Sequence, residues 1–129
     1  MTIRVISVMP KSAMLTDKAP KNQLSPGDIF RVKSVLRNEV AQFGRAKGAV
    51  IGSDTGVYTM VSKGKVNTFR MTVTATLPGG TVRVQGLVGG GRLVPVVGGT
   101  GAFAGARGVT SVRDESNTRS RNTYRLQLP

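Results

Sequence analysis

The chain has 129 residues, with 19 Lys plus Arg against 6 Asp plus Glu, no His, no Cys and no Trp, for a formal net charge of +13. Without imidazole or thiol it can build no Ser-His-Asp triad, no Cys nucleophile, no disulfide, and no zinc, haem or iron–sulfur site of the usual soft ligands. Any chemistry falls to hydroxyls, amides, carboxylates, guanidinium groups and the shape of a pocket.

The length predicts a single domain spanning 1–129, able to bury roughly two-thirds of its unfolded surface in one core. Seventeen Gly, with abundant Val and Thr, point to strands and tight turns, hence an all-β fold. The N-terminus lacks the basic start and apolar run of a secretory leader, and no apolar run approaches the ~18 residues of a membrane span. A cytoplasmic protein with no membrane partner is the expectation.

In chain order, period-two alternation recurs between turn signals. Residues 2–9 form a first strand. Residues 10–27, holding Pro10, Pro20 and Pro26 with Lys11, Lys18 and Lys21, read as a polar surface loop. A strand over 28–36 places Phe30, Val32, Ser34 and Leu36 on one face and Arg31 and Lys33 on the other. Residues 45–51 and 57–62 read as two short strands joined by a turn at Gly52-Ser53-Asp54-Thr55-Gly56.

The clearest alternation is 67–77, with Phe69, Met71, Val73 and Ala75 opposite Arg70, Thr72, Thr74 and Thr76. Pro78-Gly79-Gly80 turns it into a strand over 81–88, and an apolar stretch follows at 93–97. A dense Gly segment fills 98–108, where a single helical turn around 102–106 has room to form. Final strands are expected over 109–113 and 122–128.

About eight or nine strands in so short a chain raise the problem of exposed edges, which a closed barrel solves; a two-sheet sandwich is the alternative. The apolar rows predict an interior of Phe30, Val32, Ser34, Tyr58, Met60, Phe69, Met71, Val73, Val82 and Val84, as lumen or as filled core. Tyr58 shares its face with Met60, and a buried phenol needs a partner, so Tyr58 is the preferred polar group of that interior. The net charge raises the reading of a nucleic-acid binder. Against it, the cations are dispersed, lie opposite the apolar rows, and have only 4 Phe and 2 Tyr beside them for base stacking.

The segment 94–112, VPVVGGTGAFAGARGVTSV, resembles the Gly-rich signature of the allene oxide cyclase and dirigent protein superfamily. PGDIF at 26–30, GVYTMV at 56–61 and LPGGTVRVQGLV at 77–88 are similar, in order and spacing, to the bacterial allene oxide cyclase-like barrels. The Gly-rich run lacks the Gly-Lys-Ser/Thr of a P-loop and opens no long helix, so its glycines and Arg107 read as structural.

The resemblance implies a closed antiparallel barrel of about eight strands, forming homo-oligomers (a dimer or trimer) and needing no cofactor or metal. Its lumen would bind a flexible unsaturated molecule and steer ring closure or coupling. A cyclase or isomerase of specialised metabolism, acting on a polyketide-type precursor, is the first functional expectation, a Diels–Alder-type cycloaddition included. A non-catalytic or dirigent-like binding barrel is the second, and a basic nucleic-acid binder the third. The plant cyclases carry a glutamate on the first strand, whereas residues 2–9 here contain no acid. Of the three acids near barrel strand ends, Asp28, Glu39 and Asp54, Asp28 is the expected catalytic acid beside Tyr58. Tyr124 joins Phe30, Val32, Ser34, Met60, Phe69, Met71, Val73, Val82 and Val84 as the expected substrate-binding set. The guest is apolar or amphipathic, and the net charge would also attract an anionic one.

Overall fold

A computed structural model describes residues 1–9, 18, 24–116 and 118–129, and residues 12–16 as backbone. Nine strands follow in chain order: β1 Thr2–Val8, β2 Ser12–Thr16, β3 Ile29–Asn38, β4 Val50–Ser62, β5 Thr68–Leu77, β6 Gly80–Val88, β7 Leu93–Gly101, β8 Arg107–Asp114 and β9 Arg119–Gln127. Each pairs antiparallel with its neighbour from β3 through β9, β9 pairs with β1, and β1 returns to β3, closing an eight-stranded barrel. β2 continues the line of β1 along β3, with Ser12 opposite Val32 after Val8 opposite Val35. Closure leaves no long unpaired edge on those eight strands.

Alternation decides which side chains turn inward, because a one-residue slip would expose the whole apolar row. On β5, Met71, Val73, Ala75 and Leu77 are buried while Arg70, Thr74 and Thr76 are exposed. Arg31, Lys33 and Arg83 likewise stand on the solvent side, so most of the positive charge is an outer wall.

The barrel has a solid end and an open end. At the solid end, Ile3, Leu36, Ile51, Leu77, Val82, Val96 and Leu126 pack together, and the turn after β7 folds Phe103 and Ala106 over them. Within the 98–108 run, Gly98 to Gly101 extend β7 and the turn at 102–106 makes a cap, held by Ala102 N–H donating to Gly79 O (2.9 Å) and Ala106 N–H to Phe103 O (3.0 Å). Arg107 Nη1 donates to the carbonyls of Val97 (2.9 Å) and Ala106 (2.8 Å), the structural part foreseen for it. Gly108 sits at φ +140°, and a Cβ there would run into the carbonyl oxygen of Arg125. Gly108→Ala is therefore expected to destabilise the barrel by about 2 kcal/mol, read by denaturant unfolding. An unchanged midpoint would show that the β8–β9 contact yields freely.

Two elements differ from the sequence reading. The stretch 10–27 contains strand β2 at Ser12–Thr16, and its residues 10, 11, 17 and 19–23 lie outside the described residues. The segment 52–56 is no turn: β4 runs unbroken through it, pairing Asp54 with Ser34 on one side and Ala75 on the other. Its glycines serve close approach instead of reversal. A Cβ on Gly52 would strike the carbonyl oxygen of Thr76, and one on Gly56 would come 2.5 Å from Val73 Cγ2. The real reversal lies at 39–49, where Asn38 Nδ2 donates to the carbonyls of Gln42, Arg45 and Ala46.

Candidate functional site

The other half of the barrel encloses a cavity of about 750 Å³, within the size range of small-molecule sites. Its walls are mainly apolar: Phe30 and Val32 from β3, Phe69, Met71 and Val73 from β5, Val84 and Val88 from β6, and Val112 from β8. Phe30 and Phe69 meet edge to face with centroids 6.4 Å apart. The loops at 63–67 and 89–92, with residues 115, 116 and 118, contribute the rim through Val66, Gly90 and Ser116 among others.

Strand register gathers polar groups deeper in the lumen. Ser34 on β3 faces Asp54 on β4, Thr110 on β8 faces Tyr124 on β9, and Tyr58 lies two positions beyond Gly56 on the Asp54 face. Burial lifts the Asp54 carboxyl from its ordinary value near 3.8 to about 6, against the opposing pull of a hydrogen bond from Ser34. Burial also pushes the Tyr58 and Tyr124 hydroxyls up, with the Asp54 charge adding to both, so both remain O–H donors at neutral pH. Ser120 Oγ donates to Asn122 Oδ1 (3.0 Å), and Asn122 in turn hydrogen-bonds Tyr124.

Thr110 lies on the cavity wall, but its Oγ1 is itself buried with no hydrogen-bond partner among the described residues. A buried hydroxyl left unpaired costs about 1–3 kcal/mol. Thr110→Val is therefore expected to raise stability by about 1 kcal/mol. Calorimetric unfolding checks it, and a destabilised variant would show that the hydroxyl is satisfied in the free protein.

The expected site residues divide by depth along the barrel axis. Tyr58, Phe30, Val32, Ser34, Phe69, Met71, Val73, Val84 and Tyr124 all line the cavity. Three expected residues do not. Val82 is in the solid core. Met60 is buried off the cavity, with Gly27 N–H donating to its carbonyl (2.8 Å) and its own N–H donating to Asp28 O (2.8 Å). Asp28 is fully buried away from the lumen, and its carboxylate accepts the backbone N–H groups of Lys18 (2.6 Å) and Ser25 (2.8 Å), so it ties a loop. The buried carboxyl of the lumen is Asp54, hidden in sequence by glycines that make its surroundings look like a turn. Among the described residues, no group of three or more acidic side chains could hold a metal ion.

The sequence profile of the family described as "Dirigent-like protein" matches residues 4–128. The chain belongs to this family. No curated protein matches it. Among solved structures, a pyocyanin demethylase superposes with a TM-score of 0.77 at 17% identity, covering 98% of this chain and 100% of that one. An exo-specific intermolecular Diels-Alderase, AbnU, gives 0.71 at 16% identity, covering 98% and 96%. The Diels-Alderase AbmU from Streptomyces koyangensis gives 0.70 at 15%, covering 100% and 69%. At such identities the likeness is one of fold: this dirigent-like chain shares the barrel of proteins with different chemistries.

Proposed function

We propose that this dirigent-like barrel is a cyclase or isomerase that needs no cofactor and folds a linear unsaturated precursor inside its lumen so that a ring closes stereoselectively. The observation that carries the proposal is the cavity itself, lined by apolar side chains of β3, β5 and β6 and by polar groups that include Asp54, Tyr58 and Tyr124. Holding two reacting ends in a near-attack pose can supply several of the ~7–11 kcal/mol available from orientation, with no titrating group. Tyr58 and Tyr124 add donors that can polarise a carbonyl conjugated to the reacting double bond, lowering the barrier to addition across it. Asp54, with its carboxyl near 6, can accept or return a proton where the closure requires one. The Diels-Alderases among its fold relatives support this reading.

The test is incubation with tethered diene–enone precursors, following rate and product stereochemistry by chiral chromatography. Accelerated, stereoselective closure is expected, and Tyr58→Phe should slow it about tenfold by removing one hydrogen bond to the carbonyl. Closure identical to that in buffer would refute the proposal. The family match favours a second reading, a non-catalytic guide for coupling. That reading predicts altered stereochemistry only when a phenol and a one-electron oxidant are supplied together.

A further inference from the structure

The charge of the lumen runs opposite to that of the chain. Three of the six acidic residues line the cavity, Asp54, Asp114 and Glu115, against a single basic residue among the described ones, Arg119 at the rim. Glu115 is already engaged: its Oε1 lies 3.0 Å from Arg121 Nε and 3.9 Å from Arg119 Nε. Neither Asp54 nor Asp114 forms an ion pair among the described residues. Asp54 is buried, while Asp114 is solvent-exposed at the mouth, at the end of the strand that carries Thr110 and Val112. Asp54, Asp114 and Tyr58 all line this one cavity.

Aromatic side chains line the same space. Four of the chain's six aromatic side chains, Phe30, Tyr58, Phe69 and Tyr124, line the cavity. Aromatic faces attract a cation through their quadrupole, most strongly where water is displaced, and an aromatic enclosure is the usual receptor for alkylated ammonium groups. The outer arginines do not cancel this, because solvent and salt screen them over roughly 8 Å, while the low-dielectric lumen strengthens what faces into it.

We infer that the guest of this cavity carries a positively charged nitrogen, a protonated amine or an N-alkylated group, seated between Asp54 and Asp114 against the aromatic walls. The inference rests on the reading of the cavity as a small-molecule site, and it selects the cationic class over the anionic guest that the net charge alone suggests. A cation supplies the counter-charge that the two carboxylates lack, whereas a carboxylate guest would add a third negative charge to the lumen.

Three ligands sharing one skeleton test it by isothermal titration calorimetry at neutral pH and 0.3 M salt: 4-phenylbutyltrimethylammonium, 4-phenylbutan-1-ol and 4-phenylbutanoate. The ammonium ligand is expected to bind at least tenfold more tightly than the alcohol, and the carboxylate more weakly than either. Asp54→Asn and Asp114→Asn should each cut the ammonium-over-alcohol ratio at least threefold. Alcohol or carboxylate binding equal to or tighter than ammonium binding overturns the inference and leaves the cavity reading standing. So does an ammonium preference unaltered in a folded Asp variant. Failure of all three ligands to bind overturns both.

Discussion

Replacing Asp54 by Asn should stabilise the protein at pH 7.5 and have little effect at pH 4. In the folded barrel the Asp54 carboxyl is raised to about 6, chiefly by burial, against an ordinary value of 3.8. A carboxyl raised in this way contributes stability that is fully present below the lower value and lost as pH climbs through the upper one, because the folded state holds the proton more tightly. At neutral pH the charge is buried at a cost of roughly 3 kcal/mol, which Asn avoids while still accepting the Ser34 hydrogen bond. The difference in Tm between Asp54→Asn and the parent should therefore open from near zero at pH 4 to about 10 °C at pH 7.5. Comparing the two proteins removes the titrations they share. A difference independent of pH would mean that Asp54 keeps an ordinary carboxyl, and the cost assigned to burying its charge would have to be abandoned.

Filling the lumen is the second large perturbation. Met71 is 4% exposed, faces Tyr58 on β4 and Gly86 on β6, and points into the cavity wall. Met71→Trp places an indole in space that is otherwise open to a guest, so binding of an apolar ligand should weaken about 100-fold. Overpacking usually costs about 1–3 kcal/mol where a core is already full. Here the volume exists, so Tm should move by only a few degrees. Titration calorimetry beside a thermal scan separates these quantities. Unchanged affinity in a folded variant would place the ligand elsewhere, while a collapse of Tm would mean that this half of the barrel is packed solid.

The Asp54 carboxylate is a polar group that a filled apolar core would reject, and it lines the cavity. Sites that bind or transform a guest commonly retain such groups at some expense of stability.

How far the sequence could be read follows from what alternation encodes. On β3 and β5 the inward rows beginning at Phe30 and Phe69 were clear, because one face meets solvent and the other does not. Period two reports the face of a sheet but not the depth along a barrel axis. Val82 and Val84 share one alternation and both are buried in the core, yet only Val84 also lines the cavity. Asp54 and Asp28 exchanged their expected places for a related reason. Glycines on both sides of Asp54 resemble turn residues, and only the neighbouring strand shows that Gly56 makes room for Val73. Asp28 opens a strand in a promising position, but the amides of Lys18 and Ser25 claim its carboxylate, and no local pattern announces that contact. The Gly-rich cap was recognisable as a motif, while the collision that fixes Gly108 depends on β9 beside it.

The most direct test of a guest-filled lumen is an NMR measurement with methyl-labelled methionine and saturating 4-phenylbutan-1-ol, a neutral ligand that is independent of any charge preference. Met71 lies on the cavity wall and Met9 at its rim, whereas Met60 is buried away from it. Intermolecular NOEs from the ligand's phenyl ring to the Met71 methyl, with none to Met60, are the predicted result. Ligand bound without any NOE to Met71, in contact only with methyl groups of the outer wall, would contradict it.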